Sequence, residues 1–265
     1  MTTLRLKRVR CIVCGWHGEK SVIMSTSSFG PPSLDLRPAP PHGSSVDLWV
    51  MDCPQCGYCA PDVSESIDIG VSAAAGGSPR KANRLESWRR VVRELMAGNQ
   101  YRDPFGMGAA MPHPALVHLR CGVLQHAGDR PADAGHSALC AAWVCDDNSA
   151  SSGDGELRDV AAHCRLVALR LFEAAREAQQ PFASERIHEE LLLIDLLRRT
   201  EDFERAAERL SDLPKGIHDE ERAIALRQQG WIALRDRAAH HAQERPQRRP
   251  SSDSGGQPGI RSMVL

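Results

Sequence analysis

The sequence predicts a mainly α-helical chain headed by a small β module, and three observations lead there. Cysteines recur in two CxxCG pairs near the start, Cys11/Cys14 and Cys53/Cys56. The later two-thirds is rich in Ala, Leu, Arg and Glu, which form helices readily. Aromatic residues make up only 5% of the 265, low for a β-sandwich or barrel.

The head is expected over residues 1–70. Leu4, Leu6 and Val9 precede the first cysteine pair, and Val46, Leu48 and Val50 lead into the second. Both runs alternate in the manner of short strands feeding two metal knuckles. Residues 25–45 are dense in Ser, Pro and Gly and predict a long irregular loop. Residues 72–79 (SAAAGGSP) are a plausible linker.

A helical domain follows over residues 80–242. Leu85, Trp88, Val91, Val92 and Leu95 share one face of its first helix. Residues 116–126 and 134–144 predict shorter helices. Residues 156–179 give the clearest one, with Leu157, Val160, Ala161, Cys164, Val167, Ala168, Leu171 and Phe172 in its stripe and Pro181 after it. Further helices are expected over 184–199, 202–210 and 218–239. The break at residues 200–202, followed by Phe203, Ala206, Ala207 and Leu210, suggests a tetratricopeptide-like α-hairpin. Residues 134–144 and 156–179 form a second candidate hairpin, joined by a longer Ser/Gly/Asp-rich loop. No clean repeat period emerges, so an irregular helical bundle fits equally. The tail, residues 243–265, has the composition of a disordered segment.

The cysteine pairs carry the chemistry. Two thiolates two residues apart can chelate one ion from a tight turn. The glycine that follows, Gly15 or Gly57, permits the positive φ that turns backbone amides toward sulfur. Two such knuckles make a closed four-sulfur site, the donor set that structural Zn2+ prefers, so Cys11, Cys14, Cys53 and Cys56 are the expected ligands of a zinc-ribbon-like module. Cys59 repeats the spacing after Cys56, and His17 follows Cys14 closely, so either is an alternative ligand. A small head with a long polar loop has little core of its own. A structural zinc, contributing roughly 10–16 kcal/mol in finger peptides, can decide its folding.

Together, the CxxCG of Cys11–Gly15, the loop SSFGPPSLDLRP over residues 27–38 and the element WVMDCPQCGY over residues 49–58 resemble bacterial proteins grouped as the "domain of unknown function 2225" family. The resemblance implies a zinc-ribbon-like head joined to a helical, often tetratricopeptide-like, region. It carries the ligand role to Cys11, Cys14, Cys53 and Cys56 and makes Cys59 a spare thiol. Ser33 departs from the Asp expected in the loop. The family supplies no activity to carry over.

No catalytic constellation stands out. His188-Glu189-Glu190-Leu191-Leu192 begins like a zinc-protease motif but has Leu192 where the second histidine belongs. The glycines of 106–111 and 76–81 lack dinucleotide-loop and P-loop spacing. His163 and Cys164 are adjacent on a helix and point apart. Cys121, Cys140, Cys145 and Cys164 read as buried apolar residues. The loop of residues 29–38, from Phe29 to Pro38, holds Asp35 and Arg37 and is either a site or packing over the ribbon.

Net charge is −1, which gives the whole chain no electrostatic reason to seek nucleic acid. Residues 80–93 are locally basic, with Arg80, Lys81, Arg84, Arg89, Arg90 and Arg93, so a phosphate-backbone or regulatory contact is the alternative function. The leading expectation is a non-enzymatic, zinc-binding scaffold with a protein partner. No apolar stretch is long enough to span a bilayer and no signal-peptide core follows the basic N-terminus, so a cytoplasmic setting is expected.

Overall fold

The structure, a computed structural model, describes residues 1–69, 79–106, 111–214 and 216–240, with residues 243 and 246. It is mainly helical, with two small antiparallel sheets near the N-terminus. The expected linker lies outside the described residues except for Pro79. The expected tail lies outside them except for residues 243 and 246, and the glycine stretch of 106–111 is described only at its ends.

The first sheet pairs β1 (Thr3–Arg10) with β2 (His17–Ser25), in register from Leu4↔Ile23 to Arg10↔His17. The second is a two-residue pairing of β3 (Met51–Asp52) with β4 (Cys59–Ala60). Each hairpin closes on one cysteine pair, so the turns and not the strands are the organising features.

One expected strand is replaced. Val46 and Leu48 lie in a 3-10 helix, Gly43–Leu48. Val46 is buried among the helices, and its carbonyl is 2.9 Å from His118 Nε2. Packing against helices on one side removes the two-faced environment that would keep this run extended.

The helices are α1 (Pro79–Ala97), α2 (Asn99–Arg102), α3 (His113–Ala127), α4 (Pro131–Ser152), α5 (Gly155–Glu177), α6 (Arg186–Arg199), α7 (Phe203–Ser211) and α8 (Asp219–Ala233). In α1 the predicted stripe buries Trp88 and Val92 completely, with Leu85, Val91 and Leu95 partly buried beside them. These side chains, with Tyr101, Cys121 and Leu124, share one apolar cluster with Val9, Cys11, Cys53 and Tyr58 of the head. A second cluster fills the space between α3, α4, α5 and α6 and takes in Trp143, Phe172, Leu192 and Leu196.

The long loop expected between the second pair of helices does not exist. Helix α4 runs through Asp146, Asp147 and Asn148 to Ser152, leaving two residues before α5. Its polar end is held by local bonds: Asn148 Nδ2 donates to the Val144 carbonyl, and Ser152 Oγ to that of Asn148. Gly153 then takes φ +75°, its amide donating to the Ser149 carbonyl, and the Asp154 side chain caps α5 through the Glu156 amide at 2.9 Å. Turn residues in the sequence marked a helix boundary of two residues and not a loop. Helix α8 also ends earlier than expected, at Ala233, with Arg235 at φ 49°.

Candidate metal centre

Two turns with the same hydrogen-bond pattern build the site. At the first, the Cys11 amide donates to the Trp16 carbonyl at 2.8 Å and the Gly15 amide to the Cys11 carbonyl at 2.9 Å. At the second, Cys53 bonds Tyr58 at 2.8 Å and Gly57 bonds Cys53 at 2.7 Å. Gly15 and Gly57 take φ +80° and +76°, which a side chain would disfavour.

The turns face one another and bring the ligand atoms of Cys11, Cys14, Cys53 and Cys56 within 4.8 Å. Across the two knuckles, Cys11 Sγ lies 3.7 Å from Cys56 Sγ, and Cys14 Sγ 3.6 Å from Cys53 Sγ. Four sulfurs about 2.3 Å from a central ion, arranged tetrahedrally, stand roughly 3.8 Å apart. The two cross-knuckle spacings match that figure, so this donor set can hold a metal ion.

Electrostatics at the site are those of crowded thiols. The contact with Cys56 draws the Cys11 thiol down to about 5, against the opposing effect of burial and with help from the backbone at Cys14 and Val13. That contact pushes Cys56 far up, and burial raises Cys53. Without a cation the sulfurs compete to hold one negative charge; a dication removes the conflict.

Neither alternative ligand joins the group. Cys59 is fully buried, its thiol donating to the Gly57 carbonyl at 3.3 Å, and burial pushes it up to about 12. Its amide donates to the Tyr101 hydroxyl oxygen at 3.1 Å, so it belongs to the interface with α2 and α3. His17 is exposed at the start of β2.

The basic helix has a structural task at the metal knuckle. Arg89 Nε donates to the Ile12 carbonyl at 2.7 Å, and an Arg93 guanidinium nitrogen to that of Val13 at 3.1 Å. Both arginines also pair with Glu86, at 3.4 and 3.3 Å. Two of the cations expected to face outward are therefore turned onto the turn between Cys11 and Cys14.

The loop of residues 29–38 docks on helices rather than over the ribbon. Asp35 is 2% exposed. Its Oδ2 accepts from Trp143 Nε1 at 2.8 Å and from Arg165 at 3.3 Å, with Arg199 3.8 Å away, while Ser33 Oγ donates to Oδ1 at 2.5 Å. Asp146 of α4 completes a quartet, 2.5 Å from Arg165 and 2.9 Å from Arg199. Burial alone would raise the Asp35 carboxyl, yet the Arg165 and Arg199 charges with Ser33 and Trp143 hold it well below the usual range. Arg37 grips Asp147 with two nitrogens, at 2.8 and 2.5 Å, and the Gly43 carbonyl. Leu36 between them takes φ 63°, a conformation costing roughly 1–2 kcal/mol in an L-residue.

Sequence reading identified Asp35 and Arg37 but missed Arg165, Arg199 and Asp146. One clue was present: Arg165 lies in line with Leu157, Ala161 and Ala168 on the apolar stripe of α5, where a charge requires a partner. The remaining cysteines Cys121, Cys140, Cys145 and Cys164 are all buried, and His163 is exposed while Cys164 faces inward. Glu189 of the protease-like stretch accepts from the Phe182 amide at 3.1 Å and is structural. No family model, curated protein or solved structure matches the chain.

Proposed function

We propose that the four cysteines bind one structural Zn2+ and that the chain is a non-enzymatic scaffold for a protein partner. The cross-knuckle sulfur spacing carries the metal half of this reading. Four thiolates close the coordination sphere, leaving no position for water or substrate, so the ion shapes the head and does not activate a nucleophile. Cys11, Cys14, Cys53 and Cys56 would hold it, and Arg89 and Arg93 would brace the first knuckle from outside.

Support for the partner comes from apolar surface on the head. Leu4 is 50% exposed and Leu6 63%, neighbours on one face of β1, with the partly buried Ile23 cross-strand from Leu4. Such a face is what a partner chain covers. On this reading the hairpins α4–α5 and α6–α7 are tetratricopeptide-like, the protein works in the cytoplasm, and the head motifs reflect kinship with the "domain of unknown function 2225" group. No helix among the described residues is long and apolar enough to cross a membrane. The alternative, nucleic-acid binding through α1, would rest on the exposed Arg84, Arg90 and Arg93, the last of which also donates to a knuckle carbonyl.

The partner is tested by crosslinked pull-down from the native host with wild type and with Leu4→Lys/Leu6→Lys. A specific band lost in the variant supports the scaffold; no enrichment with wild type removes it.

A further inference from the structure

Next to the Asp35 quartet lies a cleft of about 510 Å³, bounded by the end of α4, the first half of α5, the end of α6 and residues 236–239. Arg165 and Arg199 line its buried side, at 1% and 9% exposure, and the exposed Arg158 and Arg237 line its mouth. Only Asp146 and Asp236 oppose these four within the lining.

The carboxylates around the cleft leave guanidinium donors unused, chiefly on Arg158 and Arg199. Asp146 is shared by Arg165 and Arg199. Asp236 faces its own segment, with Oδ1 accepting from the Ala238 amide at 2.7 Å and Oδ2 3.5 Å from His240. Among the described residues the Arg199 guanidinium makes one hydrogen bond, to Asp146, and the buried Arg165 Nε has no acceptor. Arg158 has no carboxylate within 4.0 Å among them, and its Nε reaches Ser149 Oγ at 3.3 Å. Two carboxylates stand outside the lining: Glu201, 2.7 Å from Arg237, and Asp35, 3.3 Å from Arg165 and 3.8 Å from Arg199.

We propose that this cleft binds a small molecule through a phosphoryl group, held by Arg158, Arg199 and Arg237 with the Ser149 hydroxyl beside them. Guanidiniums from three separate segments suit a tetrahedral dianion with several acceptor oxygens, whereas a carboxylate is satisfied by one arginine fork. The volume exceeds what phosphate alone fills and falls within the range of small-molecule sites. Burial and the neighbouring Arg165 charge disfavour the Arg199 cation against the opposing Asp146, Asp35 and Asp195, and a bound anion would add to the favourable side.

Titration calorimetry on the full chain at fixed ionic strength tests this, with pyrophosphate as ligand and malonate as the carboxylate control. Wild type and Arg8→Gln, which removes a distant exposed charge, should bind one pyrophosphate per chain with equal affinity. Arg158→Gln/Arg237→Gln, changed only at exposed positions, should bind roughly tenfold to a hundredfold more weakly, and malonate should bind wild type at least about tenfold more weakly than pyrophosphate. Absence of saturable pyrophosphate binding, or unchanged affinity in the double variant, overturns the site. Malonate binding as tightly as pyrophosphate overturns the phosphoryl class.

Discussion

Asp35 reaches across 130 residues of sequence to Arg165, and it is the residue on which the loop's docking most depends. Replacing it with Ala leaves two buried guanidiniums sharing Asp146 alone. Breaking a buried ion pair in this way costs about 3–5 kcal/mol, so Asp35→Ala should lower the unfolding free energy by that amount in urea titration. A loss below about 1 kcal/mol would show that the quartet is dispensable. The four-cysteine cluster was legible in the sequence because its geometry is local: two residues of spacing and one glycine define each knuckle. The quartet was only half legible, since spacing says nothing about which distant helix a loop carboxylate will meet. Cys59 shows a further limit, because its CxxC-like spacing is local but its burial against Tyr101 is tertiary.

Elements follow the same division. Helix existence was readable from periodicity in α1, α5 and α7, although in α7 Phe203 and Ala206 are buried while Ala207 is exposed. Boundaries were less readable where polar residues bond to their own helix, as Asn148 and Ser152 do at the end of α4. The sharp turn that follows depends on Gly153 at φ +75°. Gly153→Ala should therefore destabilise the α4–α5 hairpin by about 1 kcal/mol through the left-handed backbone alone, read as a lowered urea midpoint with an unchanged slope. An unchanged midpoint would mean that the turn relaxes to another conformation. The misassigned strand at Val46 has a comparable origin: alternation marks which side chains want burial, and the partner that buries them decides between strand and 3-10 turn.

For the whole molecule, the joints between the head and the helices predict sensitivity to acid. His118, bonded to Val46 at one such joint, is pushed down by burial from its ordinary 6.5 to about 4, the Val46 carbonyl opposing. Between those values the unfolded chain takes up a proton that the native chain refuses. Stability therefore falls as pH drops from about 6.5 to 4, by roughly 3 kcal/mol if the full shift is expressed. Asp35, held below its ordinary 3.8, adds a loss of the same sign at lower pH. His118→Gln should flatten the pH 4–6.5 portion of a stability profile measured by urea unfolding; an equally steep profile would assign the acid sensitivity elsewhere.

The account turns on the metal. Elemental analysis of the purified chain beside Cys53→Ala and Cys59→Ala reads it directly. One zinc per chain, lost in Cys53→Ala and retained in Cys59→Ala, is the predicted result. No bound metal in wild type, or a metal that depends on Cys59, would contradict the four-thiolate site.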